Sequence, residues 1–179
     1  EDRRTCVLFG DGAGAVVVQP AADDDASRIL PALLGSRGSG ADSLYRSHGG
    51  TRNQYVPGQT PEADLKLKMD GRRVYNFAVS TVVETIRRLL ERNDLEFDAV
   101  DWVVPHQTNE RIIAAAAKRA GWDRERFYVN IAEYANTSAA SIPIALNEMF
   151  EGGHLSPGRL LVTVGFGSGL TYGGNLLYW

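Results

Sequence analysis

Residues 99–121 read AVDWVVPHQTNERIIAAAAKRAG, and this stretch decides the fold. Ala99 to Val104 is short, apolar and rich in β-branched side chains, the composition of a strand, and Pro105 ends it. Asn109 stands where a helix N-cap belongs, and Gly121 where the helix stops. Strand, turn and helix within so few residues form the repeating unit of an α/β domain.

The same alternation continues on either side. From Gly71 to Arg92 the apolar residues Val74, Phe77, Ala78, Val82, Ile86 and Leu89 recur at spacings of three and four, which predicts a helix with one buried stripe that ends near Asn93. Phe127 to Ile131 reads as a second strand and Ser138 to Phe150 as a third helix, with Pro143 tolerated in its first turn. Arg159–Gly165 and Leu170–Tyr178 read as two final strands, and Arg28–Ser36 as an early one. From residue 28 the order is β-α-β-α-β-α-β-β. It predicts helices layered on a mostly parallel sheet whose last pair is antiparallel. Gly35 to Pro61, with eight glycines and prolines and no sustained period, reads as a long loop.

Upstream, Thr5–Phe9 and Ala15–Val18 read as the two strands of a buried hairpin around Gly10-Asp11-Gly12-Ala13-Gly14. The polar run Pro20 to Asp25 suits a connection between two units, so a boundary is placed between residues 1–20 and residues 21–179. The chain opens almost directly on a strand and without an initiator methionine, and is expected to be part of a longer protein.

The 179 residues are 44% hydrophobic, with 19 basic and 22 acidic side chains, which supports one sizeable core and disfavours nucleic acid as a partner. No apolar run approaches the roughly 18 residues that span a bilayer, and EDRRT lacks the apolar core of a signal peptide. A cytoplasmic protein with no membrane partner is expected. The single cysteine, Cys6, excludes an internal disulfide and a cysteine-based zinc cluster, and its place at the head of an apolar strand predicts a buried structural thiol. No metal or nucleotide motif occurs. The glycines at 10, 12 and 14 lack the spacing and the following helix of a dinucleotide loop.

Three segments put polar groups just beyond the carboxyl ends of predicted strands, where open α/β sheets bind ligands: Val104 to Asn109, Asn136 to Ser141, and Gly165 to Gly169. His106 precedes a helix N-terminus, whose dipole disfavours the imidazolium, so a neutral ring donating to an oxyanion is one reading and a histidine satisfied by local backbone is the other. For residues 136–141 simple capping is the plainer reading, with Thr137 or Ser138 holding the first free amides. Gly165 to Gly174 holds five glycines in ten residues, which suits either a plain hairpin turn or a turn whose N–H groups face an anion.

Pro105-His106-Gln107-x-Asn109, Asn136-Thr137-Ser138-Ala139-Ala140-Ser141-Ile142-Pro143 and Gly165-Phe166-Gly167-x-Gly169-x-Thr171 resemble the β-ketoacyl-acyl-carrier-protein synthase III family of the thiolase superfamily. Thr5 to Ala15 resembles the last hairpin of that family's first half, and Met69-Asp70-Gly71 the start of its helix beside the pantetheine tunnel. The resemblance implies an α/β thiolase-like fold, with this chain forming the second βαβαβαββ half and the end of the first.

It implies a decarboxylative Claisen condensation of acyl-CoA with malonyl-acyl carrier protein, both as substrates, with no cofactor. His106 and Asn136 match the family's catalytic His and Asn, which donate to the malonyl thioester carbonyl. Ser168 matches the backbone oxyanion-hole donor, a place where the family commonly has glycine. Gly71, Tyr75, Thr108, Asn109 and Arg111 match positions lining the CoA and pantetheine tunnel, and Phe166 one beside the reactive cysteine. Arg111, Lys118 and Arg119 form a locally basic helix face that suits acyl carrier protein, or else an ordinary solvated face.

The family's nucleophilic cysteine belongs to the first half, and Cys6 does not lie in its motif. The resemblance therefore makes the N-terminal half of the same enzyme a partner, in the family's usual homodimer. Three other readings stand beside condensation: a relative that passes the acyl group to oxygen or nitrogen, a type III polyketide synthase, and a non-catalytic acyl-binding partner subunit.

Overall fold

The computed structural model describes residues 5–22 and 25–179. After β1 (Arg28–Ile29) and β2 (Leu33–Ser36), a 3-10 helix at Gly38–Ser43 leads to β3 (Leu44–Arg46). A second 3-10 turn at Glu62–Leu65 precedes β4 (Leu67–Met69), so the expected long loop is folded back on itself by the antiparallel pair β3 and β4. Helix α1 follows at Gly71–Glu91, then β5 (Trp102–Pro105) and α2 (Glu110–Ala120). A four-residue helix α3 (Ile131–Tyr134), a 3-10 turn at Ser138–Ala140 and α4 (Ser141–Glu151) precede the closing strands β6 (Leu160–Gly167) and β7 (Thr171–Tyr178).

The helices begin where the sequence provides caps. Asp70 accepts from Arg73 N–H at the start of α1, and Asn109 accepts from Arg111 N–H at the start of α2. Gly121 closes α2 at φ 74°, a left-handed position that glycine takes without a steric cost.

The main sheet runs β1-β7-β6-β5, with β2 also on β7. Only β5 and β6 are parallel; β6, β1 and β2 all pair antiparallel with β7. The expectation of a mostly parallel sheet is corrected here. The tight turn after Gly167 reverses β7 against β6, and β1 and β2, from the start of the chain, line the other edge of β7 antiparallel to it.

The strand expected at Phe127–Ile131 is reduced to one parallel bridge, Val103 with Phe127. Beyond it the Gln107 side chain takes the place of a neighbouring strand. Its amide donates to Tyr128 O at 3.1 Å and its oxygen accepts from Asn130 N–H at 3.1 Å, after which the chain turns into α3.

Two apolar layers flank the sheet. Val82, Ile86 and Leu89 of α1 and Ile113 of α2 pack with Val103, Val162 and Leu176 on one face. Ala145 and Met149 of α4 pack with Val104 and Leu161 on the other. Adjacent residues such as Val103 and Val104 thus enter opposite layers, which is why β5 reads as a continuous apolar run rather than an alternating one.

The expected hairpin of residues 5–18 does not form. Phe9 makes a parallel bridge to Asn136, but Ala15–Val18 pairs with no strand, and Val16, Val17 and Val18 are exposed. A two-stranded ribbon needs a further strand or a helix to cover it, and no edge of this chain's sheet receives one there. Cys6, expected to be buried, is exposed for the same reason. No helix among the described residues is long and apolar enough to cross a membrane.

Candidate functional site

Where α1 and α2 begin and the β6–β7 turn ends, the two apolar layers part and leave a cavity of about 790 Å³. His106, Asn136 and Ser168, from three separate junctions, all line it. The β3–β4 hairpin supplies a wall through Leu44, Leu67 and Met69.

His106 leaves the end of β5 with its N–H on Val164 O at 2.8 Å, so its backbone continues the parallel ladder for one more step. Its Nδ1 stands 2.6 Å from Ser141 Oγ, and the ring meets Phe166 edge to face at 5.7 Å between centroids. Burial holds its pKa down at about 4, so the imidazole is neutral at pH 7. With Nδ1 engaged by the protein, Nε2 is the ring nitrogen left for a ligand.

Asn136 is fixed from both sides. Its N–H donates to Leu8 O at 2.9 Å and its carbonyl accepts from Gly10 N–H at 3.0 Å. A Cβ on Gly10 would lie 2.3 Å from Tyr134 O, so only glycine lets the chain come this close. The side-chain Oδ1 accepts from Ser138 N–H at 2.9 Å, which leaves the Nδ2 amide group for the cavity.

Capping therefore runs opposite to the expectation. Thr137 and Ser138 provide no side-chain cap, and Asn136 is the acceptor instead. Ser138 at φ 53° and Ala135 at φ 57°, ψ −159° bracket Asn136 in left-handed backbone, uncommon for residues with a Cβ.

Ser168 is not among the non-glycine residues with positive φ, so serine fits the turn without strain there. Its Oγ donates to Leu44 O at 2.5 Å and ties the glycine-rich turn to the hairpin wall.

Gly71 and Tyr75 of α1, Thr108 and Asn109 before α2, and Phe166 of β6 line the same cavity. Thr108 Oγ1 is buried without a hydrogen-bond partner. Arg111 does not reach the lining: it lies exposed on α2, as do Lys118 and Arg119. The structure thus gathers the residues of the three junctions and leaves these basic ones on an outer face.

Reading by sequence assigned no role to Ser141, Gln107 or the Leu8–Gly10 backbone. Ser141 stood in a quoted motif, but its value rests on a contact 35 residues away, which no local pattern reveals.

The family described as 3-oxoacyl-[acyl-carrier-protein (ACP)] synthase III C terminal matches residues 90–179, and 3-oxoacyl-[acyl-carrier-protein (ACP)] synthase III matches residues 1–38. The chain is 42% identical over its full length to the beta-ketoacyl-[acyl-carrier-protein] synthase III of Clostridium acetobutylicum, and covers 54% of that protein. It is 45% identical to the synthase of the same name from Clostridioides difficile, again covering all of this chain and 54% of the relative. The crystal structure of 3-oxoacyl-[acyl-carrier-protein] synthase III from Aquifex aeolicus matches with a TM-score of 0.86 at 40% identity, over 100% of this chain and 53% of that one. The chain therefore spans about half the length of the relatives it matches.

Proposed function

The chain belongs to the 3-oxoacyl-[acyl-carrier-protein] synthase III family, with its thiolase-like α/β fold, and from that premise we propose that it carries the decarboxylation half of a condensing site. Residues 1–20 would close the first half of the fold and residues 21–179 form the second. One observation carries the reading. His106 and Asn136 line one cavity, each with one side-chain atom held by the protein and one nitrogen, Nε2 or Nδ2, left unengaged.

The substrates would be a malonyl thioester on acyl carrier protein and an acyl group, delivered by CoA, on a cysteine of the first half. The malonyl carbonyl oxygen accepts from His106 Nε2–H and Asn136 Nδ2–H. As the carboxylate carbon leaves as carbon dioxide, the electron pair of the broken C–C bond moves into the thioester, and the charge collects on the oxygen facing those donors. A neutral imidazole suits this role, because it donates a proton in a hydrogen bond without giving it away. The enolate carbon then attacks the acyl thioester, and the new oxyanion accepts from the Ser168 N–H while the cysteine thiolate departs.

Gly71, Tyr75, Thr108 and Asn109 would flank the pantetheine arm, for which a cavity of about 790 Å³ is ample. Arg111, Lys118 and Arg119, exposed on α2, offer charge to an acidic carrier protein.

The test is release of carbon dioxide from malonyl thioester by the complete two-half enzyme. His106→Ala and Asn136→Ala should each lower it about a hundredfold, the usual cost of one oxyanion donor at ~3 kcal/mol, while acyl loading persists. Equal loss of loading, or undiminished release, overturns the reading.

A further inference from the structure

Of the residues lining the cavity, Ser141 is the one that holds the His106 ring from behind. It is the first residue of α4, and only 2% of it is exposed. Its Oγ lies 2.6 Å from His106 Nδ1 and accepts from Gln107 N–H at 3.3 Å.

A hydroxyl has one proton and two acceptor lone pairs, so the direction of the short contact can be deduced. If His106 Nδ1 carried the proton, Ser141 Oγ would accept from two N–H groups and its own proton would need a third partner. Ser80, on α1, shows what such a partner looks like: its Oγ donates back to Asn76 O and Phe77 O. Ser141 makes no such bond, and a buried hydroxyl proton left unpaired is costly. If instead Ser141 Oγ–H donates to a bare Nδ1, every group is satisfied. The edge-to-face contact with Phe166 and the His106 N–H on Val164 O hold the ring so that this one assignment governs the whole side chain.

We propose that Ser141 is a positioning residue that fixes His106 as the Nε2–H tautomer, so that the free edge of the ring is always a donor. The tautomer stands on geometry alone, whereas its importance to catalysis rests on the condensing function proposed above. Among the described residues, Ser141 Oγ is the one hydrogen-bond partner of the ring, whose other contact is the edge-to-face one with Phe166.

The chain has three histidines, so His48→Gln and His154→Gln together leave His106 as the only one. In that background, long-range proton–nitrogen correlation spectra of the 15N-histidine-labelled chain at pH 7 read the tautomer directly. A protonated Nε2 and a bare Nδ1 are expected, and Ser141→Ala should move the population toward Nδ1–H. A protonated Nδ1 before any change at 141, or populations that Ser141→Ala leaves unmoved, overturns the assignment. Should Ser141→Ala disturb folding, the spectrum of the chain with Ser141 intact still decides it, and Ser141→Thr, which keeps the hydroxyl, should give the same Nε2–H signature.

In the complete enzyme, Ser141→Ala should reduce kcat for malonyl decarboxylation about tenfold with KM unchanged, the size of one orienting hydrogen bond, and Ser141→Thr should restore it. Undiminished kcat removes the positioning role. If His106→Ala in the same assay also has no effect, the condensing function fails while the tautomer assignment stands on the spectra.

Discussion

The two proposed donors, His106 and Asn136, sit on loops built in opposite ways. The His106 loop is relaxed: it extends a parallel ladder, passes through a capped helix start and sets its half-buried ring between Phe166 and the Ser141 hydroxyl. The Asn136 loop is held under tension, with Ala135 and Ser138 in left-handed backbone and a bridge from Phe9 clamping the residue between them. The first loop keeps unstrained backbone and caps α2 locally through Asn109, although its ladder partner Val164 and its ring partner Ser141 are distant in sequence. The second depends on a segment more than a hundred residues away. A position that local preferences support resists change nearby, whereas one that tertiary contacts impose is exposed to damage at a distance.

The sharpest way to break this comparison is to remove each donor in turn. His106→Ala and Asn136→Ala are expected to cost the same hundredfold in decarboxylation, since both would serve one oxygen, and a large inequality would show that they do not share it. Next comes Gly10→Ala, whose Cβ would meet Tyr134 O at 2.3 Å. It should destabilise the chain by about 2 kcal/mol in urea melts and perturb the backbone resonances of Asn136 more than those of His106.

The pH dependence isolates the histidine loop. Burial takes the His106 pKa from its ordinary 6.5 to about 4, so on acidification the unfolded chain takes up this proton first. Its contribution is therefore complete above pH ~6.5 and is lost as pH falls toward about 4, on the order of 2 kcal/mol for a ring that is not wholly enclosed. His106→Gln should flatten that slope in melts taken across the range. Asn109→Ala removes the cap of α2 and should cost about 1 kcal/mol, with Asn136 unaffected. Smallest in net effect is Ala135→Gly, which relieves the φ 57°, ψ −159° backbone and should stabilise by somewhat less than about 1 kcal/mol after glycine's own entropy is counted. A loss of stability there would show that the Asn136 loop is not strained.

The helices α1, α2 and α4 were legible because apolar spacing and caps are local signals, and Asn109 and Gly121 act as their residue types suggest. The strand at Phe127–Ile131 was not, because its apolar run is satisfied by a buried Gln107 rather than by a ladder. Cys6 and the valines at 16–18 carry strand composition without a strand partner among the described residues, and composition says nothing about where a partner lies.

By itself, the sequence determined the α/β class, the existence of α1, α2 and α4, the caps of α2 and the three polar junctions, because periodicity, capping and turn chemistry act over a few residues. Its motifs also marked His106 and Asn136. The tertiary structure alone decided that these two share one cavity, that Ser141 holds one ring nitrogen and that Phe9 and Gly10 clamp the Asn136 backbone. Those relations join residues about 30 to 130 positions apart, and only the packing of helices on a sheet brings such distant groups within hydrogen-bond reach.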